Sequence, residues 1–450
     1  MDFLALSRGH TYAAPAAICI LAVMTSLGLY LFRKPPFPKN APQRYTEAYA
    51  ALLGGVPEVR ENNSLMGEQA AGDSAFNVFF RKGLTDLTKT NQLRRGLPQL
   101  LKDARNMLDD IVKNANGLTD PFDSIYRMVF QFTMRTVACD EIGDDPVLVS
   151  RFLTNFEAIE QAATPLSIMF PWLPLPSKLK RMYAGAQLYM IVKKVMDERE
   201  KTGIKQDDAL QYLIDSEKSI TEIITFVIGA LFAGLLNSGI NAAWVVCYLA
   251  NNDEWMQRVR DEIDEVAERH CPDASLPLKD RLMRIPIEAW ETEFPMIDLC
   301  LKESIRLQLK GTAFRKNLTN QEIAINKRGE VIPPGAYAAL ATADIHYDSN
   351  IYPEPERFDP GRYLPDRAED KKEHYGWMGW GLARHPCVGM KFAKLENNVI
   401  VAFFLAYFSD IQLADEMGNP KAKVSRTDLN RHTASKPETP MFLKYKVRQD

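Results

Sequence analysis

Residues 219–251 carry no proline and are apolar on almost every side of a helical wheel. As one helix they would run about 48 Å at 1.5 Å per residue. A helix that is apolar all round cannot rest on a surface, so it must cross the interior of a large domain. Gly229, Gly234 and Gly239 each cost helix stability, and each needs a packing or functional reason to be there. The chain has 450 residues, 46% of them hydrophobic and 10% aromatic, which is ample to build a core around such a helix. Further helical patterns cover residues 98–114, 121–137, 146–161, 177–202, 255–269 and 296–309, and another reaches Tyr407. Strand patterns are sparse, chiefly around Arg315 and residues 329–340. The expected class is mainly α with a small β region (α+β).

Charge and cysteine usage narrow the chemistry. A formal net charge of -3 gives no reason to expect nucleic-acid binding. Cys19, Cys139, Cys247, Cys271, Cys300 and Cys387 are scattered without short pairs, which argues against a zinc cluster or a disulfide framework and for a reducing compartment. The histidines are equally dispersed, and no helix carries two at metal-binding spacing. Cys387 stands apart because of its surroundings: Trp380-Gly381-Leu382-Ala383-Arg384-His385-Pro386-Cys387-Val388-Gly389. Gly381 and Gly389 let the backbone bend and approach a flat ligand closely. The segment runs into Met390-Lys391-Phe392-Ala393-Lys394-Leu395-Glu396, a good helix-forming sequence. A thiol at the start of a helix meets free amide hydrogens and the positive end of the dipole, which favour thiolate over thiol.

This segment resembles the haem-binding loop of the cytochromes P450, with Trp380 where phenylalanine is usual and Ala383 where glycine is usual. The resemblance implies haem b with Cys387 as the axial iron ligand, Trp380, Gly381 and Gly389 beside the macrocycle, and His385 on a haem propionate. It also implies that Arg315 pairs with a propionate. Glu303-Ser304-Ile305-Arg306 and Pro355-Glu356-Arg357-Phe358 resemble the family's other two signatures, so Glu303, Arg306 and Arg357 are expected to form a buried charge triad that holds the cysteine loop. The long apolar helix takes the place of the family's distal helix, where small residues such as Ala233 and Gly234 leave room for dioxygen.

At that helix the chain departs from the common pattern. The run Ala233-Gly234-Leu235-Leu236-Asn237-Ser238 puts leucine where an acid is usual and asparagine where an alcohol is usual. Leu236 relays no proton, while Asn237 offers hydrogen bonds without a group that titrates near neutrality. Proton delivery would pass through ordered water held by Asn237 and Ser238. Asn237 followed by Ala243-Trp244 resembles the prostacyclin synthase and bile-acid sterol hydroxylase branch, which contains both oxygen-inserting enzymes and a peroxide isomerase. The words Leu307-Gln308-Leu309-Lys310-Gly311-Thr312-Ala313-Phe314-Arg315 and His432-Thr433-Ala434-Ser435-Lys436-Pro437 resemble fungal secondary-metabolism members.

The N-terminus points to a membrane. Residues 12–32 form an almost uncharged apolar run about 31 Å long as a helix, enough to span a hydrocarbon core. Arg33 and Lys34 follow at once, so the bias of positive charge places the rest of the chain in the cytosol. The expected organisation is an anchor at 1–34, a stiff proline hinge at 35–40 and a haem-thiolate catalytic domain at 41–450. Only residues 40–50 separate the hinge from a segment the family places after its first helix and first two strands, so those elements are expected to be missing and the strand of Arg315 to have an open edge. The apolar segment 164–176 could roof the substrate entrance. Lys391 and Lys394 could receive an acidic reductase surface.

The resemblance therefore implies a single-pass protein of the endoplasmic reticulum membrane with its catalytic domain in the cytosol. Its function would be monooxygenation of an apolar small molecule in secondary metabolism, with NADPH-cytochrome P450 reductase as electron donor. A haem-thiolate isomerase or dehydratase acting on a peroxide, and a truncated non-catalytic haem binder, remain as alternatives.

Overall fold

The computed structural model describes residues 59–60, 75–114, 117–162, 175–309, 311–325, 329–382, 385–427 and 434–449. The expected anchor and hinge, and nearly all of the apolar segment 164–176, lie outside the described residues. The longer helices are α1 (Ala75–Leu87), α2 (Thr90–Asn114), α3 (Pro121–Val137), α4 (Pro146–Gln161), α5 (Pro176–Thr202), α6 (Ile220–Leu249), α7 (Asp253–His270), α8 (Pro295–Gln308) and α9 (Met390–Tyr407).

Their starts follow local chemistry. Asp120 accepts from the amide of Phe122, and Asp145 from those of Val147 and Leu148. In both cases a proline fills the first helical position, where a missing N–H costs nothing. Ser219 and Glu222 form a reciprocal capping box that opens α6. No side chain of its own neighbourhood caps α8; Glu262 of α7 does so instead, accepting from Met296 and Ile297 at 2.6 and 3.1 Å. One boundary differs from expectation: α2 begins at Thr90 and runs through Pro98. Leu93, Leu97, Leu100, Leu101, Ala104 and Leu108 are all buried on one stripe, and that packing outweighs the one hydrogen bond a proline removes.

Helix α6 crosses the middle of the molecule, lying along α3 and meeting α8 and α9. By length and composition it could cross a membrane, yet Phe226, Leu231, Leu235, Trp244, Val245 and Val246 are buried in the protein core. Trp244 meets Phe122 edge-on at 5.0 Å and stacks on Tyr248, which stacks in turn on Phe358. The glycines of α6 separate by role. A Cβ on Gly229 would come within 3.1 Å of Phe80, and one on Gly239 within 3.2 Å of Tyr126, so both serve close packing. A Cβ on Gly234 would meet Thr133 at an ordinary 3.8 Å, so neighbouring protein does not demand glycine there.

The β structure is small. Strands β1 (Val59–Arg60), β3 (Thr312–Asn317) and β6 (Tyr337–Ala341) form one sheet in the order β1-β3-β6; β2 (Leu118–Thr119), β10 (Phe442–Val447) and β9 (Phe408–Ala414) form another in the order β2-β10-β9. Two hairpins, β4–β5 (Ile323–Ala324 and Val331–Ile332) and β7–β8 (Gly381–Leu382 and His385–Pro386), complete it. The strand of Arg315 is paired on both sides, with Val59 opposite Asn317 and Ala338 opposite Arg315. The expected open edge at β3 is therefore covered by a segment that the spacing after the hinge did not reveal.

Candidate active site

Among the described cysteines, Cys139, Cys247, Cys271 and Cys300 are buried and Cys387 is exposed. Burial pushes the thiols of Cys139, Cys247 and Cys300 well above the ordinary value, which keeps them inert. Cys387 differs from them in its exposure. The surrounding protein raises its thiol too, while the nearby backbone amides of Gly389 and Met390 pull the other way. Those amides face Cys387 because Gly389 caps α9 and the chain turns into the helix there.

The loop before Cys387 is a short hairpin. Gly381 pairs with Pro386 and Leu382 with His385, Gly381 adopts φ +76°, which glycine tolerates without a Cβ clash, and the amide of Cys387 donates to the carbonyl of Trp380 at 2.6 Å. Trp380 meets Trp377 edge-on at 6.4 Å, and the indole N–H of Trp377 donates to the carbonyl of Lys302 on α8 at 3.3 Å. Gly379 is fixed by contact: a Cβ there would lie 2.4 Å from Ile305 and from the Trp377 ring. By contrast nothing lies within 4 Å of a Cβ placed on Gly389. Its missing side chain is thus unused by the protein itself.

The charge triad requires a correction. Glu303 and Arg306 on α8 are fully buried and joined by two parallel bonds of 2.8 Å. The third member is Arg362, whose Nε donates to Glu303 at 3.2 Å; it is not Arg357. The side chain of Arg357 is 64% exposed and faces Glu354, and only its carbonyl joins the network, accepting from Arg306 and Arg362. Two Pro-x-Arg-aromatic words stand close together, Pro355-Glu356-Arg357-Phe358 and Pro360-Gly361-Arg362-Tyr363. The second forms a 3₁₀ turn that aims Arg362 inward and brings the Tyr363 hydroxyl to Glu303 at 2.8 Å. Glu303 also accepts from the amide of Asp359. Burial disfavours the charge on Arg306, and the bonds from Glu303 more than offset it, so its proton is held more tightly than usual.

Across the core, Ala233 and Asn237 are exposed in the middle of α6, while Leu235, Gly239 and Ile240 are buried. The Asn237 amide donates to the Ala233 carbonyl at 3.0 Å, Asn241 donates to the Asn237 carbonyl at 2.9 Å, and Ser304 of α8 donates to Asn241 at 3.1 Å. The sequence therefore puts a polar ladder on one face of an otherwise apolar helix. Ser238 lies near Glu396 of α9 and draws its carboxyl downward. Arg315 is buried and donates to the carbonyl of Phe314. The backbone of His385 sits in β8; its side chain lies outside what the structure describes.

Glu396 was not singled out by sequence, yet burial pushes its carboxyl up to about 8. Since the unfolded group titrates near 4.5, the native state holds a proton that the unfolded chain releases between those values. Its contribution to stability is thus complete below about 4.5 and is lost as pH rises through about 8. Glu396→Gln removes this loss. The melting temperature of the variant relative to wild type should climb from pH 5 to 8 and then level off, and a constant difference would refute the assignment. Lys391 and Lys394 do not stand free for a partner, being paired with Glu291 and Asp298.

An exposed thiol beside the amides of Gly389 and Met390, the open space over Gly389 and the exposed Ala233 and Asn237 of α6 suit a flat thiolate-ligated group. Comparison with known proteins gives that group its name. The family model for cytochrome P450 matches residues 81–429. The cytochrome P450 monooxygenase AacuE of Aspergillus aculeatus is 36% identical, covering 83% of this chain and 74% of that protein. The monooxygenase nsrP of Aspergillus novofumigatus is 36% identical over 76% of this chain and 66% of its own length. The monooxygenase dmxR5 of Cryptosporiopsis sp. is 33% identical over 73% of this chain and 64% of its own length. A solved cyanobacterial structure with retinoic acid bound shares the fold, with a TM-score of 0.69, 20% identity and coverage of 89% of this chain and 88% of that one. The chain therefore belongs to the cytochrome P450 family, as a haem-thiolate oxidoreductase whose relatives are fungal monooxygenases.

Proposed function

We propose that this chain is a membrane-anchored monooxygenase that oxidises an apolar small molecule in fungal secondary metabolism. The observation that carries the reading is Cys387, the exposed cysteine among those described, at the start of a helix whose first amides draw its thiol toward the thiolate. Bound haem supplies activation of dioxygen, and a thiolate ligand favours cleavage of the oxygen-oxygen bond. The chain supplies the rest. Cys387 would hold the haem iron through its sulfur, His385 and Arg315 would pair with the haem carboxylates, and Trp380, Gly381 and Gly389 would pack beside it. Ala233 and Gly234 would leave room on the side opposite Cys387, and Asn237 and Ser238 would orient the water that delivers protons. The apolar run at 12–32 is the single-pass anchor in the endoplasmic reticulum membrane, and the electron donor is NADPH-cytochrome P450 reductase.

The run Leu236-Asn237 supports a second reading within the prostacyclin synthase-like branch. An isomerase or dehydratase acting on a peroxide needs neither a reductase nor an acid at position 236. Reconstitution with the reductase, NADPH and isotopically labelled dioxygen separates the two. We expect label in the product only when the reductase is present. Rearrangement of a supplied organic peroxide without reductant, and with no label from dioxygen, would replace the first reading by the second.

A further inference from the structure

We propose that His346 is a positioning residue for Cys387: its imidazole accepts a hydrogen bond from the cysteine loop while its backbone is held by the buried charge triad. His346 ends the short helix Thr342–His346 and is fully buried. Its carbonyl accepts from Nη1 of Arg306 at 2.6 Å, so the triad fixes where its Cα sits. Its Nε2 accepts from the amide of Met378 at 3.1 Å, at the point where the loop to Cys387 begins. The ring also lies over Trp377 at 6.3 Å and 30°.

The tautomer follows from the neighbours. The backbone carbonyls of Arg306 and Leu309 lie close to the ring, and Nδ1 is buried without completing a hydrogen bond. Carbonyls only accept, so the proton belongs on Nδ1 and Nε2 keeps its lone pair for Met378. Burial, with Arg306 adding to it, drives the imidazole down to about 3. The acceptor therefore stays unprotonated throughout the range in which the enzyme works. Two routes leave this anchor: one along the chain from Met378 to Trp380, whose carbonyl receives the amide of Cys387, and one through the hydrogen bond from Arg306 back to the triad. One side chain thus links the rigid helix α8 to the placement of the sulfur.

The inference rests on Cys387 as the axial ligand, and the experiment keeps the two apart. In the full-length holoenzyme, His346→Gln retains an acceptor near the position of Nε2, and His346→Leu removes it. We expect the leucine variant to retain haem and helical circular dichroism. Its ferrous carbonyl complex should lose the red-shifted thiolate band to the thiol form faster than wild type by on the order of tenfold, the size of one lost buried hydrogen bond. Glutamine should restore wild-type persistence. If glutamine and leucine behave alike, or if leucine leaves the band as long-lived as in wild type, the proposal fails. Should the leucine variant not accumulate as folded protein, hydrogen exchange at the Met378 amide of wild type decides: strong protection supports the bond, and exchange at the rate of an open amide overturns it. A wild-type enzyme without the thiolate band would instead sink the ligand assignment itself.

Discussion

Cys387→Ala will fold, and it will lose turnover entirely. The residue is exposed and its side chain is not part of the core, so the stability of the polypeptide should change by no more than about 0.5 kcal/mol. Among the described residues its chemistry has no substitute, because Cys139, Cys247, Cys271 and Cys300 are buried. The expected readouts are a circular dichroism spectrum like that of wild type, no red-shifted ferrous carbonyl band and no reductase-dependent product. Cys387→His should bring back pigment with the blue-shifted band of imidazole attachment. A red-shifted band surviving in the alanine variant would mean that the sulfur had been assigned to the wrong residue.

The second large effect is set by a choice between two arginines. Arg362→Ala leaves Glu303 with Arg306 as its one remaining cation and Glu369 with Arg367 alone, and it also unpairs the carbonyls of Pro353, Glu354 and Arg357 from that guanidinium. Breaking a buried ion pair by removing one partner costs about 3–5 kcal/mol. Against a total of about 5–15 kcal/mol for a whole domain, that should leave little soluble, haem-loaded protein. Arg357→Ala removes a side chain that is 64% exposed and paired only at the surface, and should cost no more than about 0.5 kcal/mol. Arg362→Lys will not rescue, since an ammonium cannot reproduce a planar fork that spans several acceptors. Expression yield, haem content and thermal unfolding of the three variants provide the check. Equal damage from Arg357→Ala and Arg362→Ala would refute the geometry.

Much of this was legible in local sequence. The proline-capped starts of α3 and α4, the length of α6 and the extent of α9 follow from patterns a few residues long, because capping and amphipathic period are local properties. The pair Glu303 and Arg306 was equally readable, since residues three apart share one helix face. Arg362 was not, because two neighbouring words of the same type compete for one carboxylate and only the path of the chain between them decides which arginine turns inward. His346, Gly379 and Glu396 escaped for a related reason. His346 and Gly379 owe their roles to Met378 and Ile305, far along the chain, and Glu396 owes its raised carboxyl to burial in the assembled core.

Sequence alone determined the ingredients: one cysteine before a helix, one apolar rod, and a carboxylate and arginine on adjacent turns. These depend on residue type and short spacing, which any stretch of chain carries with it. Tertiary structure decided which arginine joins Glu303, which cysteine stays accessible and which histidine braces the loop. Those outcomes arise from burial and from contacts between segments distant along the chain, and no local pattern encodes them.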